Sequence, residues 1–260
     1  MKKTVLVTGA CVNTGVSIVE KFASEGWNVI FTGRREAAVK EKEKEYCEKF
    51  PFVSVKGMVI DSLLDERTVD ENAVKELFAS LDAESIQINA LVLNAADQGL
   101  GIRVFENPIT DFQRVINTNM TWNYLICEKA ARRMKESGGG SITFVNSNTA
   151  YRAIPDRIAY SASKSGQLGM MRALALDLGK YNIRVNAVLP GMIRTDRWEK
   201  NPEFYANVPS RFTPLQDVAD GADVADAVWY FAAHARNTTG AELVVDGGNT
   251  VQLYPIIPNS

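Results

Sequence analysis

The sequence predicts an α/β protein: one doubly wound, seven-stranded parallel sheet with helices on both faces, formed by residues 1–260 as a single domain. Three observations predict it. Short apolar runs alternate with helix-length segments seven times, without an internal repeat, low-complexity tract or linker. The run at 89–94 is apolar without alternation, as strands covered on both faces are. Small or polar residues follow the strands at Gly9, Asn94, Ser147 and Thr195, so one edge of the sheet collects them. In open parallel sheets, ligands bind beyond that edge.

Composition narrows the class. Hydrophobic residues make up 46% of the chain and charged residues 23%, the balance of an ordinary globular protein. Lysine and arginine number 29 against 31 acidic residues, a net charge of -2 that gives no basic surplus for nucleic acid or an anionic membrane. Cys11, Cys47 and Cys127 are odd in number and scattered, which suits free thiols in a reducing cytoplasm. The apolar run after Met1-Lys2-Lys3 stops at Thr8-Gly9, and nothing approaches the length of a membrane span. A cytoplasmic protein is expected. His234 is the only histidine, which removes most metal centres and histidine-based triads, so no metal site is expected.

Residues 3–8 form a first strand ending at Gly9. Gly15 then opens a helix whose apolar positions Val16, Val19, Phe22 and Ala23 recur at helical spacing until Gly26. Strand, glycine-bearing turn (with Asn13 inside it) and helix make the first half of a Rossmann-type dinucleotide unit. A cofactor pyrophosphate would rest on backbone amides at the helix N-terminus. A second strand over 28–32 ends at Gly33-Arg34-Arg35. A carboxylate there would bind the ribose 2′-hydroxyl and select NAD, whereas an arginine fork suits a 2′-phosphate. The expected cofactor is therefore NADP, with NAD the alternative.

A third strand over 52–60 ends at Asp61, an acceptor for the adenine amino group. Residues 65–81 read as a helix with an acidic start and Val69, Val74, Leu77 and Phe78 on its apolar side. The strand over 89–94 delivers Asn94-Ala95-Ala96, small residues where a cofactor passes close to backbone. Residues 110–135 read as one long helix. Asn119 within it is a poor helix former with no end to cap, so it is either satisfied locally or opens the helix to hold a water.

Gly138-Gly139-Gly140 ends that helix before the strand that delivers Ser147. After a turn around Pro155 a new helix begins at about Ile158. The sixth strand, 183–189, is broken by Pro190-Gly191, and Thr195 follows. The next segment holds Trp198, Phe204, Tyr205 and Phe212, interrupted by Pro202, Pro209 and Pro214, which argues against one long regular element. It reads as a substrate lid at about 195–215, or as a satellite core cluster. A helix over 222–233 and a last strand over 242–245 complete the chain.

Tyr160 and Lys164 lie four residues apart, one turn, on one face of the helix that begins near Ile158. A neighbouring ammonium favours phenolate, so Tyr160 is expected to titrate below its ordinary value of about 10 and to exchange protons near neutral pH. Ser147 supplies a hydroxyl from the preceding strand end to the same carbonyl or alcohol oxygen. That is machinery for oxidoreduction.

Thr8-Gly9…Gly15, Asn94-Ala95-Ala96, Asn119, Ser147, Tyr160-Ser-Ala-Ser-Lys164, Pro190-Gly191…Thr195 and Val245-Asp246-Gly247-Gly248 resemble, over essentially the whole chain, the short-chain dehydrogenase/reductase family. The resemblance is to its Tyr-x-x-x-Lys branch, and the step from Ser147 to Tyr160 matches the family spacing. The enoyl-reductase branch is excluded because it separates its Tyr and Lys more widely. Asn13 and Ala96 stand where the family has glycines.

The resemblance implies roles. Tyr160 would be general acid or base, and Lys164 would lower its pKa and hold the nicotinamide ribose. Ser147 would orient the reacting oxygen, and Asn119 would position a water that relays protons. Gly9, Asn13, Gly15, Arg34, Asp61, Asn94, Tyr160, Lys164, Pro190 and Thr195 would contact NADP. The implied reaction interconverts a ketone and a secondary alcohol, with a sugar or polyol, or a 3-oxoacyl thioester, as substrate. The alternative is a catalytically silent NADP-binding sensor or scaffold. Arg132, Arg133 and Arg184 are a weak hint of docking to an acidic carrier protein. The family also implies a homotetramer, and the apolar tail over 253–258 is expected to pack on a neighbour.

Overall fold

The computed structural model describes residues 2–255; the last three positions of the tail, 256–258, lie outside the described residues. Seven strands form one parallel sheet: β1 (Thr4–Val7), β2 (Asn28–Gly33), β3 (Val55–Val59), β4 (Ala90–Leu93), β5 (Gly140–Val145), β6 (Ile183–Pro190) and β7 (Glu242–Val245). Their order is β3-β2-β1-β4-β5-β6-β7, so the chain reverses direction across the sheet between β1 and β4. This is the doubly wound Rossmann-type arrangement expected from the sequence. The β1–β4 ladder pairs Val5 with Ala90, and the β5–β6 ladder pairs Val145 with Val188.

The longer helices are α1 (Thr14–Ser24), α2 (Glu36–Lys49), α3 (Glu71–Ala83), α4 (Ile109–Ile116), α5 (Asn123–Glu136) and α6 (Ile158–Gly179). Three short ones follow β6, namely α7 (Asp196–Lys200), α8 (Pro202–Tyr205) and α9 (Val208–Phe212), and α10 (Gly221–Trp229) precedes β7. One face of the sheet buries Val5, Val7, Val29 and Phe31 with Phe22 of α1, Val39 and Tyr46 of α2 and Val228 of α10. Phe22, Trp27 and Trp229 meet edge to face there at 5.1–5.5 Å, a geometry aromatic quadrupoles favour. The other face buries Leu6, Leu91, Ile142 and Val185 with side chains of α3, α5 and α6.

Two elements differ from the sequence reading. The helix expected over 65–81 begins at Glu71. Asp65 instead accepts the amides of Arg67 and Thr68 in a turn, at 2.7 and 2.9 Å, closed by a bridge between Leu63 and Val69. Asp70 caps the helix by accepting the Ala73 amide at 2.9 Å. The third strand is also shorter than expected, starting at Val55, because residues 51–53 turn back from Phe50.

The long helix expected over 110–135 is continuous from Ile109 to Glu136 but widens to a π-turn over Asn117–Trp122, with Asn119 inside it. Such turns displace a carbonyl from the regular ladder and concentrate at functional sites. The segment after β6 is broken into α7, α8 and α9, as its prolines require, and Trp198 stacks on Tyr205 at 4.5 Å. No helix among the described residues is long and apolar enough to cross a membrane.

Candidate active site

The carboxyl ends of β1, β4, β5 and β6 bring the chemistry-bearing residues to one edge. At the end of β1, Gly9 adopts φ +66°, and a side chain there would press within 2.8 Å of the Ala95 backbone. Gly15, in the first turn of α1, has no room either, since a Cβ would lie 2.6 Å from the Gly9 carbonyl. Between them Asn13 holds φ 49° and ψ −133°, and its side chain makes no hydrogen bond to cap α1. The Val16 amide turns back on the Asn13 carbonyl at 2.9 Å, and no side chain caps the start of α1, the kind of helix end that can receive an anion.

Asn94 binds this turn rather than pointing away from it. Its amide donates to the carbonyls of Thr8 and Gly9 at 3.1 and 2.8 Å, while the Thr8 hydroxyl accepts the Asn94 and Ala95 amides, both at 3.0 Å. Arg34 is exposed immediately after β2. Asp61 follows β3 and is also exposed, with one carboxylate oxygen accepting the Ser62 amide at 2.7 Å. Pro190 is the buried last residue of β6, and Thr195, half-buried, precedes α7.

Ser147 follows β5 with 8% of its surface exposed, and its hydroxyl lies within hydrogen-bonding reach of the Tyr160 phenol. Lys164 is buried, and its Nζ lies 5.6 Å from the centre of the Tyr160 ring and donates to the Val145 carbonyl at 2.9 Å. Serine, tyrosine and lysine are therefore grouped around one point. Asn119 stands behind them. Its Oδ1 accepts the Asp97 amide at 2.8 Å, and its Nδ2 donates to the Asp97 carbonyl and the Ser163 hydroxyl, both at 2.9 Å. The Asn119 side chain is satisfied by partners 22 and 44 positions away, not within its own helix, and the helix opens around it into the π-turn.

One electrostatic expectation fails. Tyr160 is held above, not below, the ordinary phenol value, because burial disfavours phenolate more than the Ser147 hydrogen bond and the Arg157 charge favour it. Lys164 explains why it offers so little help: burial brings it down to about 7, so near neutrality much of it carries no charge. The three arginines of the docking hint each have a partner within the chain. Arg133 pairs with Asp82 and Arg132 with Glu128, while half-buried Arg184 donates to the Phe231 and Ala232 carbonyls.

Several residues that the sequence reading did not single out complete the site. Arg157, just before α6, lies 5.9 Å from the centre of the Tyr160 ring and donates to the Gln98 carbonyl at 3.0 Å. Asp97 pairs with Arg114, which fixes the loop after β4 against α4. Asn146 and Gln167 fill the space behind Lys164. Gln167 follows Lys164 by three and Tyr160 by seven, so helical spacing alone places all three on one face. Beside this group a cavity of about 500 Å³ is lined by Ile102, Val104, Ala150, Ile154, Ile158 and Ser161, among others.

Comparison with known proteins agrees with this geometry. A family model described as enoyl-(acyl carrier protein) reductase matches residues 9–250. A glucose 1-dehydrogenase of Gluconobacter oxydans is 34% identical, over 96% of this chain and 92% of the relative. A 3alpha-hydroxysteroid dehydrogenase of Mediterraneibacter gnavus is 32% identical, over 94% and 96%. The 3-oxoacyl-[acyl-carrier-protein] reductase MabA of Mycobacterium bovis is 30% identical, over 95% and 93%. Among solved structures, ElxO with NADP bound superimposes with a TM-score of 0.81 at 27% identity, covering 97% of this chain and all of that one.

Proposed function

The chain belongs to the short-chain dehydrogenase/reductase family of oxidoreductases, and we propose that it interconverts a ketone and a secondary alcohol with NADP(H). The observation that carries this reading is the grouping of Ser147, Tyr160 and Lys164 at the sheet edge that also holds the Gly9–Gly15 turn. Tyr160 and Lys164 are four apart, the spacing of the carbonyl-reducing branch, which favours a ketone over an enoyl substrate.

The turn at Gly9, Asn13 and Gly15 would hold the pyrophosphate, Arg34 the 2′-phosphate and Asp61 the adenine. Asn94 braces the turn, and Pro190 and Thr195 would hold the nicotinamide end. When bound, the nicotinamide supplies or accepts the hydride. The Ser147 hydroxyl orients the substrate oxygen, and the Tyr160 phenol gives it a proton on reduction or takes one on oxidation. A raised phenol pKa suits donation in the reductive direction, because the phenol stays protonated at neutral pH. Lys164 would hold the ribose and exchange a proton readily, its own titration lying near 7.

The whole chain, 1–260, is read as one domain in a cytoplasmic enzyme, with the helices after β6, about 195–215, forming a substrate lid. The substrate is read as a sugar or polyol, or a 3-oxoacyl thioester, in line with what the named relatives act on. The homotetramer is supported by exposed apolar side chains on α5 and α6: Tyr124 is 50% and Leu176 84% exposed. Light scattering at the mass of a monomer would remove that part. The main test screens sugars, polyols, 3-oxoacyl esters and steroids with NADPH and NADH. Turnover with NADPH, abolished in Tyr160→Phe while cofactor binding persists, is expected. Absence of turnover across the panel, with cofactor bound, would favour the silent sensor.

A further inference from the structure

Gln167 is 1% exposed, buried on α6 between Lys164 on one side and the apolar Leu168 and Met171 on the other. Burying a carboxamide is unfavourable unless both of its ends find partners. Both do, on two other segments. Its Nε2 donates to the Asn119 carbonyl at 2.7 Å, and its Oε1 accepts from Asn146 Nδ2 at 3.1 Å. Asn146 Nδ2 also donates to the Lys164 carbonyl at 2.9 Å, and its Oδ1 accepts the Ser147 amide at 2.8 Å.

The Asn119 carbonyl is one that the π-turn displaces from the regular ladder. It receives Asn123 Nδ2 at 2.8 Å as well as Gln167, so both of its acceptor directions are filled. Gln167 therefore joins the three segments that carry the reacting groups: the π-turn, the end of β5 and α6. Leucine at this position would satisfy the core by shape. It would leave the displaced carbonyl with a single side-chain partner and take from Asn146 one of the three bonds that hold it beside Ser147.

We propose that Gln167 is a positioning residue for the reaction, holding the Ser147 hydroxyl, the Tyr160 phenol and the Lys164 Nζ in one register through Asn119 and Asn146. The catalytic part of the test rests on the carbonyl reductase reading above; the titration part does not.

The experiment compares full-length wild type with Gln167→Leu and Gln167→Met, two neutral replacements of similar bulk. With NADPH and whichever ketone the panel identifies, kcat per folded enzyme is expected to fall about tenfold, equivalent to about 1.4 kcal/mol, with KM for both substrates nearly unchanged. In the protein without ligand, titration of Tyr160 by ultraviolet difference against Tyr160→Phe is expected to shift. The basic side chains nearest that phenol, Lys164 and Arg157, are the same in every variant. Lower thermal stability with unchanged kcat per folded enzyme and an unmoved Tyr160 titration would overturn the proposal, leaving Gln167 a core residue only. Should Gln167→Leu fail to fold, Gln167→Met gives the same two readings. Should no ketone be turned over, the reductase reading fails, and the titration alone decides the role of Gln167.

Discussion

Replacing Asn13 with glycine should make this protein more stable, although it deletes a side chain. The residue holds φ 49° and ψ −133°, away from the left-handed helical well near ψ of about +47° that asparagine tolerates. Its side chain is exposed and makes no hydrogen bond to cap α1. Backbone held in such sparsely populated regions costs roughly 1–3 kcal/mol. Glycine relieves that strain but loosens the unfolded chain, which returns about 0.4–1 kcal/mol. The balance is a gain of about 1 kcal/mol, worth about 2–4 °C in Tm for a chain of this size. Calorimetry on Asn13→Gly without ligand measures it. Asn13→Ala is the control and should melt below wild type, because alanine tolerates positive φ less well than asparagine. An Asn13→Gly protein that melts at or below the wild-type temperature would refute the strain argument.

Other outcomes follow from buried charge and from the cofactor turn. Lys164 titrates at about 7 in the fold against 10.5 when unfolded, so between these values the unfolded chain holds more protons and stability rises with pH. Lys164→Met removes that dependence. The variant should gain most over wild type at pH 7 and below, and its advantage should shrink by up to about 1.4 kcal/mol per pH unit towards pH 10. Chemical denaturation across that range reads the difference, and a constant gap would contradict a neutralised lysine. Arg34→Ala should raise KM for NADPH about tenfold or more, as befits loss of charged hydrogen bonds worth roughly 1.5–3 kcal/mol, and leave KM for NADH unchanged. Equal effects on both cofactors in steady-state assays would remove Arg34 from the 2′-phosphate site.

The strands were legible because each is an uninterrupted apolar run between turn residues. The grouping of Ser147, Tyr160 and Lys164 was legible because a parallel sheet sends successive strand ends to one edge. The turn around Pro155 likewise placed the start of α6 at about Ile158, where the helix begins. What escaped depended on contacts distant in sequence. Asp65 and Asp70 are equally good caps on paper, and only the Leu63–Val69 bridge decides that the helix starts after the second. The direction of the Tyr160 shift turns on how deeply the phenol and Lys164 are buried, which spacing does not encode. Asn119 drew attention as a misplaced helix residue, yet the amide that meets its carbonyl, Gln167, comes from a helix 48 positions away.

The pairing of β1 with β4 carries a consequence for how the molecule comes into being. The Gly9 turn lies near the start of the chain, but the Asn94 amide that braces it arrives 85 positions later, on a strand that must insert beside β1. A nascent polypeptide emerging from the ribosome can therefore pair β1, β2 and β3 early while one side of β1 stays unpaired. The mononucleotide half has no finished phosphate cradle at that stage. Closing the gap requires contacts remote in sequence, the kind that slow folding and leave a strand edge open to aggregation meanwhile. Nucleotide added during refolding would accordingly find nothing to grip until the fourth strand has docked.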